Sequence, residues 1–124
     1  MTPETLLLRQ VHPSFMQDEK LTSQAFFPFP KDDGQLSVYD GDQISADASH
    51  AHFVNILRNQ SCGVWGVACS EVEDSGLASK ADPLPDFAAH ALIDFGSKTE
   101  KACRIIAKKL RARAVERGCL HKAA

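Results

Sequence analysis

Acidic residues and histidines cluster in the middle of the chain, where a predicted turn leads into a predicted helix. Asp40 and Asp42 flank the turn, and Asp47, His50 and His52 follow on the helix. Carboxylates and imidazoles gathered in one place could bind a divalent metal. The spacing, however, lacks the Asp-x-Asp-x-Asp-Gly run and the final Glu of an EF-hand, and histidines two positions apart point about 200° apart on a helix. We therefore predict no metal site, with Asp40, Asp42 and His50 as weak candidates.

A second set of polar residues lies on or near predicted strands. His90 and Asp94 fall on the same face of one strand. Four residues of strand separate them by about 13 Å, so their side chains cannot touch directly. They could still share a cleft with His12 and Tyr39. We interpret each of these histidines as a hydrogen-bonded structural residue.

The chain contains no short catalytic motif. There is no Gly-x-Ser-x-Gly sequence, no glycine-rich phosphate loop and no cysteine in a recognisable active-site context. We assign no catalytic residue and no cofactor, and these absences disfavour an enzyme. The alternative is a small metal-dependent hydrolase or transferase that draws on His12, Asp40, Asp42, His50 or His90.

The segment 98–117 is strongly basic although the chain as a whole carries a net charge of −2. It contains eight basic residues and two acidic ones, and its apolar residues recur at helical spacing. Charge segregation of this kind bears on binding partners. We predict a protein-binding face formed by Lys101, Arg104, Lys108 and Arg111. Nucleic acid is the alternative partner, disfavoured by a pI near 6.2 and by the lack of aromatic residues among the basic ones.

A proline-rich segment carries three phenylalanines, Phe26, Phe27 and Phe29. So much apolar area must pack against the core or against another protein. Aromatic and arginine side chains dominate the binding energy of many interfaces. We therefore add Phe27, Phe29 and Tyr39 to the predicted partner contacts.

The segment 63–72 is the predicted centre of the fold. Its first seven residues are apolar without alternation, which favours a central strand covered on both faces. Gly63 and Gly66 indicate that another backbone or a bulky side chain comes close. Trp65 is the single tryptophan, and we expect it in the core.

The remaining elements follow from periodicity and from capping residues. We predict strands at 21–27, 36–39 and 89–95, a helix at 46–58 capped by Ser45, and a loop at 76–87. Ser97 or Thr99 caps the basic helix, which Gly118 ends in the left-handed conformation. At the N-terminus the alternatives are a first turn of helix opened by Thr2-Pro3-Glu4 and a strand through residues 6–11. Helices and strands without a regular repeat favour an α+β fold, with a small, mainly antiparallel or mixed sheet and two to three helices packed on it.

Length and composition fit one soluble domain spanning residues 1–124. No apolar run is long enough to cross a membrane, and the N-terminus lacks the positive region of a signal peptide, so we expect a cytoplasmic protein. The four cysteines form no CxxC pair. We predict structural thiols rather than a metal site.

Several strings carry a resemblance: His12-Pro13-Ser14-Phe15, residues 21–26, residues 36–42 and residues 63–67. Over residues 10–95 the chain resembles a group of small uncharacterised bacterial single-domain proteins. The resemblance implies a stand-alone bacterial protein encoded beside a larger effector, and it supplies no activity. Our leading hypothesis is a binding module that acts as an accessory subunit or immunity-type regulator, with its oligomeric state left open.

Overall fold

The computed structural model describes all 124 residues, and its strands form one large sheet and one small hairpin. The strands are β1 (Leu6–Gln10), β2 (Met16–Gln17), β3 (Lys20–Leu21), β4 (Gln35–Asp40), β5 (Gly63–Ala68), β6 (Ala78–Ala81), β7 (His90–Asp94) and β8 (His121–Lys122). The six-stranded sheet has the order β6-β7-β4-β1-β5-β8, and every neighbouring pair is antiparallel. Strands β2 and β3 form the hairpin.

Helices pack on both faces of this sheet. They are α1 (Ala46–Ala51), continued by a π-helical turn (His52–Ile56), α2 (Cys69–Asp74) and α3 (Glu100–Arg117). Short 3-10 turns occupy Pro13–Phe15, Ser23–Phe26 and Pro30–Asp32. The predicted α+β class with a mainly antiparallel sheet is confirmed. No helix combines the length and apolarity needed to span a bilayer.

Two apolar clusters lie on opposite faces of the sheet. The larger cluster joins Leu36 and Val38 of β4 to Ile106 and Leu110 of α3. The smaller cluster contains Leu8, Tyr39, Val64 and Ala89, with Phe53 and Phe87 packed against it. Since side chains alternate along a strand, successive residues of β4 serve different clusters.

The tryptophan-bearing strand is buried as predicted but is shorter and less central. All six residues of β5 are buried, and Trp65 is 9% exposed. The strand lies one position from the edge of the sheet, between β1 and the two-residue β8. It ends at Ala68 because Glu71 accepts a hydrogen bond from the Ala68 N–H at 2.8 Å and so opens α2. The predicted continuation to residue 72 is wrong.

The predictions for segments with a clear apolar period are largely confirmed. Residues 6–10 form a strand, and the predictions for β4, β7 and the basic helix are confirmed within a few residues. The Ala102 N–H donates to Thr99 Oγ1 at 3.1 Å, which identifies Thr99 as the cap. Gly118 ends α3 with φ 94° and ψ 167°, so it is extended at positive φ rather than left-handed helical.

Three segments differ from expectation. Segment 21–27 turns into a 3-10 helix after Leu21, and the predicted loop 76–87 contains β6. The predicted helix 46–58 has its Ser45 cap, with Ala48 N–H donating to Ser45 Oγ at 3.1 Å. It widens into the π-helical turn at His52, so that Leu57 N–H donates to the His52 carbonyl.

Candidate functional site

The proline-rich segment presents its phenylalanines beside the first turns of α3. The Phe29 N–H donates to Asp32 Oδ2 at 2.8 Å, which closes the turn after Pro28. The Phe29 ring stacks on Phe15 with centroids 6.0 Å apart and meets Phe27 edge-on at 5.2 Å. Phe26, by contrast, is fully buried in the large core. Phe26 therefore belongs to the core, whereas Phe27 and Phe29 are half-buried at the edge of the core.

A surface depression of about 380 Å³ lies between these rings and α3. Larger, more open hollows of about 680 and 610 Å³ adjoin it at either end and share lining residues with it. We call these three together the α3 groove. Its aromatic and basic lining comprises Phe27, Phe29, Lys20, Lys98, Arg104, Lys108 and Arg111.

The cations of the groove are held to different degrees. Arg111 Nε donates to the Leu21 carbonyl and Lys98 Nζ to the Phe95 carbonyl, each at 2.9 Å. Arg104 forms an exposed ion pair with Glu100 one turn away. Lys108 is exposed and lines both the middle hollow and the hollow of about 610 Å³ next to it. Positive charge thus lies beside an aromatic surface over several turns of helix.

Five of the seven predicted contact residues line this groove, namely Phe27, Phe29, Arg104, Lys108 and Arg111. Lys101 is exposed on α3 outside the lining. Tyr39 lies on the opposite face of the sheet and is only 3% exposed. Its phenol oxygen is 2.7 Å from His52 Nδ1, and burial raises the pKa of Tyr39. A buried phenol is not an outward-facing contact, so Tyr39 does not belong to this surface.

The weak metal candidates do not gather round one point. The Asp40 carboxylate accepts from the Asp42 N–H at 2.9 Å and from Gln43 Nε2 at 3.0 Å. Asp42 itself accepts from Thr5 Oγ1. The Nε2 of His50 faces the Ser61 carbonyl at 3.2 Å. No three His, Cys, Asp or Glu side chains lie close enough together to hold an ion.

Of His12, Tyr39, His90 and Asp94, the four residues considered for a shared cleft, the structure brings only Tyr39 and His90 together. Tyr39 and His90 are direct cross-strand neighbours. Asp94 instead accepts from Lys80 Nζ at 2.7 Å, and this hydrogen bond, aided by the Gly96 N–H, lowers the pKa of the Asp94 carboxyl. His12 Nδ1 accepts from the Ser14 N–H at 3.0 Å and caps the first 3-10 turn.

His90 has two side-chain partners that sequence reasoning missed. Its Nδ1 is 3.0 Å from Asp82 Oδ2 and 2.9 Å from the Asp82 carbonyl oxygen. Its Nε2 is 3.1 Å from Ser37 Oγ, although 53 positions separate the two residues. Ser37 occupies an outward position of a predicted strand, and Asp82 precedes a proline in a predicted loop. Neither position carried a sequence signal, because Ser37 reaches His90 only through the β4–β7 register and Asp82 only through the pairing of β6 with β7.

No protein-family model matches the chain, and neither a curated protein nor a solved structure matches it. The resemblance to small bacterial proteins assigns no residue a role.

Proposed function

We propose that the protein is a binding module that docks on a larger protein through the α3 groove. The observation that carries this proposal is the convergence of Phe27, Phe29, Arg104 and Lys108 in one depression. Aromatic rings and arginines are the side chains that most often dominate interface energetics. Such a module would act as an accessory subunit or regulator of a bacterial effector.

The occupant we propose is an acidic, extended protein segment that carries at least one apolar side chain. From Glu100 to Arg111 the groove follows about 17 Å of α3, and Lys98 extends it beyond the start of the helix. An extended segment of about six residues spans that length. Its carboxylates would meet Arg104 and Lys108, and its apolar side chain would pack on the two phenylalanine rings.

The cytoplasm is the compartment we propose for this interaction. The chain has four free cysteines, and Cys119 is exposed. Reducing compartments keep such thiols unpaired, whereas secreted proteins tend to oxidise them.

Selection from displayed random peptides tests the groove directly. Peptides of about 12 residues, twice the length that spans the groove, are selected on the purified protein. Enriched peptides should be acidic and contain an aromatic or aliphatic residue. Their affinity, measured by fluorescence polarisation, should fall about tenfold or more in Lys108→Glu and in Arg104→Glu.

Lys109→Glu is the matched control, because Lys109 is exposed on the same helix but does not line the groove. It should leave the affinity nearly unchanged. Enriched peptides without acidic character, or equal losses in Lys108→Glu and Lys109→Glu, would contradict the proposal.

Nucleic acid is the competing occupant of the same basic surface. A labelled DNA duplex measured on the same variants distinguishes it. Phosphate binding would lose affinity steeply with added salt and would respond to every basic residue of α3 in similar measure. That result would replace the protein partner with a nucleic acid.

A further inference from the structure

Ser37, His90 and Asp82 form a continuous hydrogen-bonded line on the sheet face opposite α3. The Nδ1 atom of His90 faces two acceptors, the carboxylate and the carbonyl of Asp82, at 3.0 and 2.9 Å. A ring nitrogen facing two acceptors must carry the proton. The other nitrogen, Nε2, is then unprotonated and accepts the hydrogen bond from Ser37 Oγ at 3.1 Å. This is the tautomer that a general base needs in order to activate a serine.

The fold holds each member of the line in place. His90 lies directly opposite Tyr39, so Ser37 is its diagonal neighbour across β4 and β7. Asp82 is pinned by its own N–H, which donates to the His90 carbonyl at 2.9 Å. Phe87 packs edge-on against the imidazole with centroids 4.8 Å apart. His90 is buried, whereas Ser37 is exposed and open to a reactant.

A cavity of about 170 Å³ lies beside Ser37. It forms where β1 and β4 separate, because their pairing covers only Leu7–Asp40 and Leu8–Tyr39. Its wall is largely aromatic and aliphatic, and it also includes one arginine and one asparagine. Its lining residues include Arg9, Tyr39, Phe53, Asn59 and Phe87.

Arg9 brings positive charge to this cavity. Its Nη1 donates to the Ser37 carbonyl and its Nε to the Ala25 carbonyl, both at 2.8 Å. Burial lowers the pKa of the guanidinium, and Asp32 opposes that effect. An arginine stays charged in proteins nonetheless. A cation near a serine can stabilise negative charge that develops on a bound carbonyl oxygen.

We propose that Ser37 is the nucleophile of a hydrolytic site for small acyl esters, with His90 as general base and Asp82 as the residue that positions the imidazole. The apolar wall would take a short acyl chain. Arg9 and Asn59 also line the cavity, and their side chains would donate hydrogen bonds to the carbonyl oxygen. This site is separate from the α3 groove and does not depend on the function proposed for it.

The reaction consists of two balanced steps. Ser37 Oγ attacks the acyl carbon while His90 Nε2 takes the hydroxyl proton, and the bond to the leaving alkoxide breaks as the imidazolium returns that proton to it. An alcohol leaves and an acyl-serine remains. Water then attacks the acyl carbon, gives its proton to His90 and releases a carboxylic acid, and the proton on His90 returns to Ser37. No metal or redox partner is needed.

A fluorophosphonate probe tests the nucleophile. Its phosphorus forms a bond with an activated serine oxygen and releases fluoride. Intact-mass and peptide analysis of the full chain should find one adduct, on Ser37. Ser37→Ala should abolish labelling, and His90→Asn should slow it about 100-fold or more. In parallel, p-nitrophenyl butyrate should be hydrolysed faster than the octanoate ester, since the cavity is small.

Ser14→Ala is the matched control, because Ser14 Oγ also contacts a histidine, His12, at 2.8 Å, but no carboxylate contacts that imidazole. It should label like the unmodified protein. Asp82→Asn should slow labelling at saturating probe about 100-fold while the half-saturating probe concentration stays unchanged. A mere loss of structure would alter both values and the circular dichroism spectrum. Absence of an adduct on Ser37, or equal labelling after Ser37→Ala, would overturn the proposal.

Discussion

Glu71 shows how one carboxylate joins three elements. Its Oε1 accepts from the Ala68 N–H and from Arg117 Nη1, at 2.8 and 3.0 Å, and Oε2 accepts from Arg117 Nη2 at 3.1 Å. Arg117 Nη1 also donates to the Gly66 carbonyl at 3.0 Å. The start of α2, the end of α3 and strand β5 are therefore fastened at one ion pair. Such bidentate, partly buried pairs are stronger than exposed ones.

Glu71→Gln should lower stability at neutral pH and much less in acid. Burial alone would raise the pKa of Glu71, but hydrogen bonds from Arg117 and Ala68 and the charges of Arg117 and Arg113 outweigh it, so the folded-state pKa is lowered. The stabilisation is present above the unfolded-state pKa of about 4.3 and is lost as pH falls through the lower folded value. Urea unfolding should give a deficit of about 1 kcal/mol at pH 7 that shrinks as the pH falls below about 4.

Glu73→Gln provides the control for this prediction, since Glu73 is exposed on the same short helix. Its free energy of unfolding should match that of the unmodified protein at both pH values. A deficit for Glu71→Gln that persists unchanged in acid would refute the electrostatic explanation.

Residue roles were the least predictable part of the molecule. His90 was a candidate in the sequence because it shares a strand face with Asp94, but its partners Ser37 and Asp82 were not candidates. Strand alternation places Ser37 outward without saying which imidazole faces it. That pairing depends on register, and register depends on the packing of both strands. The prediction of Tyr39 as a partner contact was wrong for a related reason. Strand alternation shows which side chains share a face, but not whether that face is open to solvent or covered by a second apolar cluster.

At the scale of elements, the surroundings of Gly63 and Gly66 in β5 predict that replacement by alanine lowers folding stability by different amounts at the two positions. A Cβ on Gly63 would lie 2.8 Å from the His121 carbonyl oxygen and 2.9 Å from the Trp65 ring. A Cβ on Gly66 would meet the Leu120 Cδ1 methyl group at 2.8 Å, with the Leu7 carbonyl oxygen at 3.6 Å. A leucine side chain can turn aside, whereas a paired backbone cannot move without breaking the strand pairing.

Gly63→Ala should therefore destabilise the fold by about 2 kcal/mol, and Gly66→Ala by less than about 1 kcal/mol. Urea midpoints at pH 7, read from Trp65 fluorescence and from circular dichroism, measure both costs. Equal midpoints for the two variants would mean that the backbone of β8 shifts as easily as a leucine side chain. That result would contradict the steric explanation.

Elements with strong periodicity were predictable and those fixed by local hydrogen bonds were not. The apolar spacing of α3 and the alternation in β4 identified both, and the sequence already suggested close approach at Gly63 and Gly66. The end of β5 depends on the hydrogen bond from the Ala68 N–H to Glu71. The turn after Leu21 depends on short-range backbone hydrogen bonds, such as that from the Phe27 N–H to the Gln24 carbonyl. Such contacts involve one or two atoms, so they leave no period in the sequence.

At the scale of the whole molecule, the sheet separates two surfaces. Leu36 and Val38 face the core under α3, while Ser37 and Tyr39 face the other side. The α3 groove and the Ser37 cavity therefore share no lining residue. The charge segregation visible in the sequence belongs to one of these surfaces only, because the basic residues of α3 lie on its side of the sheet.

This separation predicts that each surface can be disabled without the other. Lys108→Glu should weaken peptide binding and leave fluorophosphonate labelling of Ser37 unchanged, because a charge beyond the packed sheet is remote and screened. Ser37→Ala should abolish labelling and leave peptide affinity within about twofold, as expected for distant sites without shared partners. The four measurements form a cycle on folded protein. A peptide that alters the labelling rate of the unmodified protein would show instead that the two faces communicate through β4, the strand that contributes side chains to both.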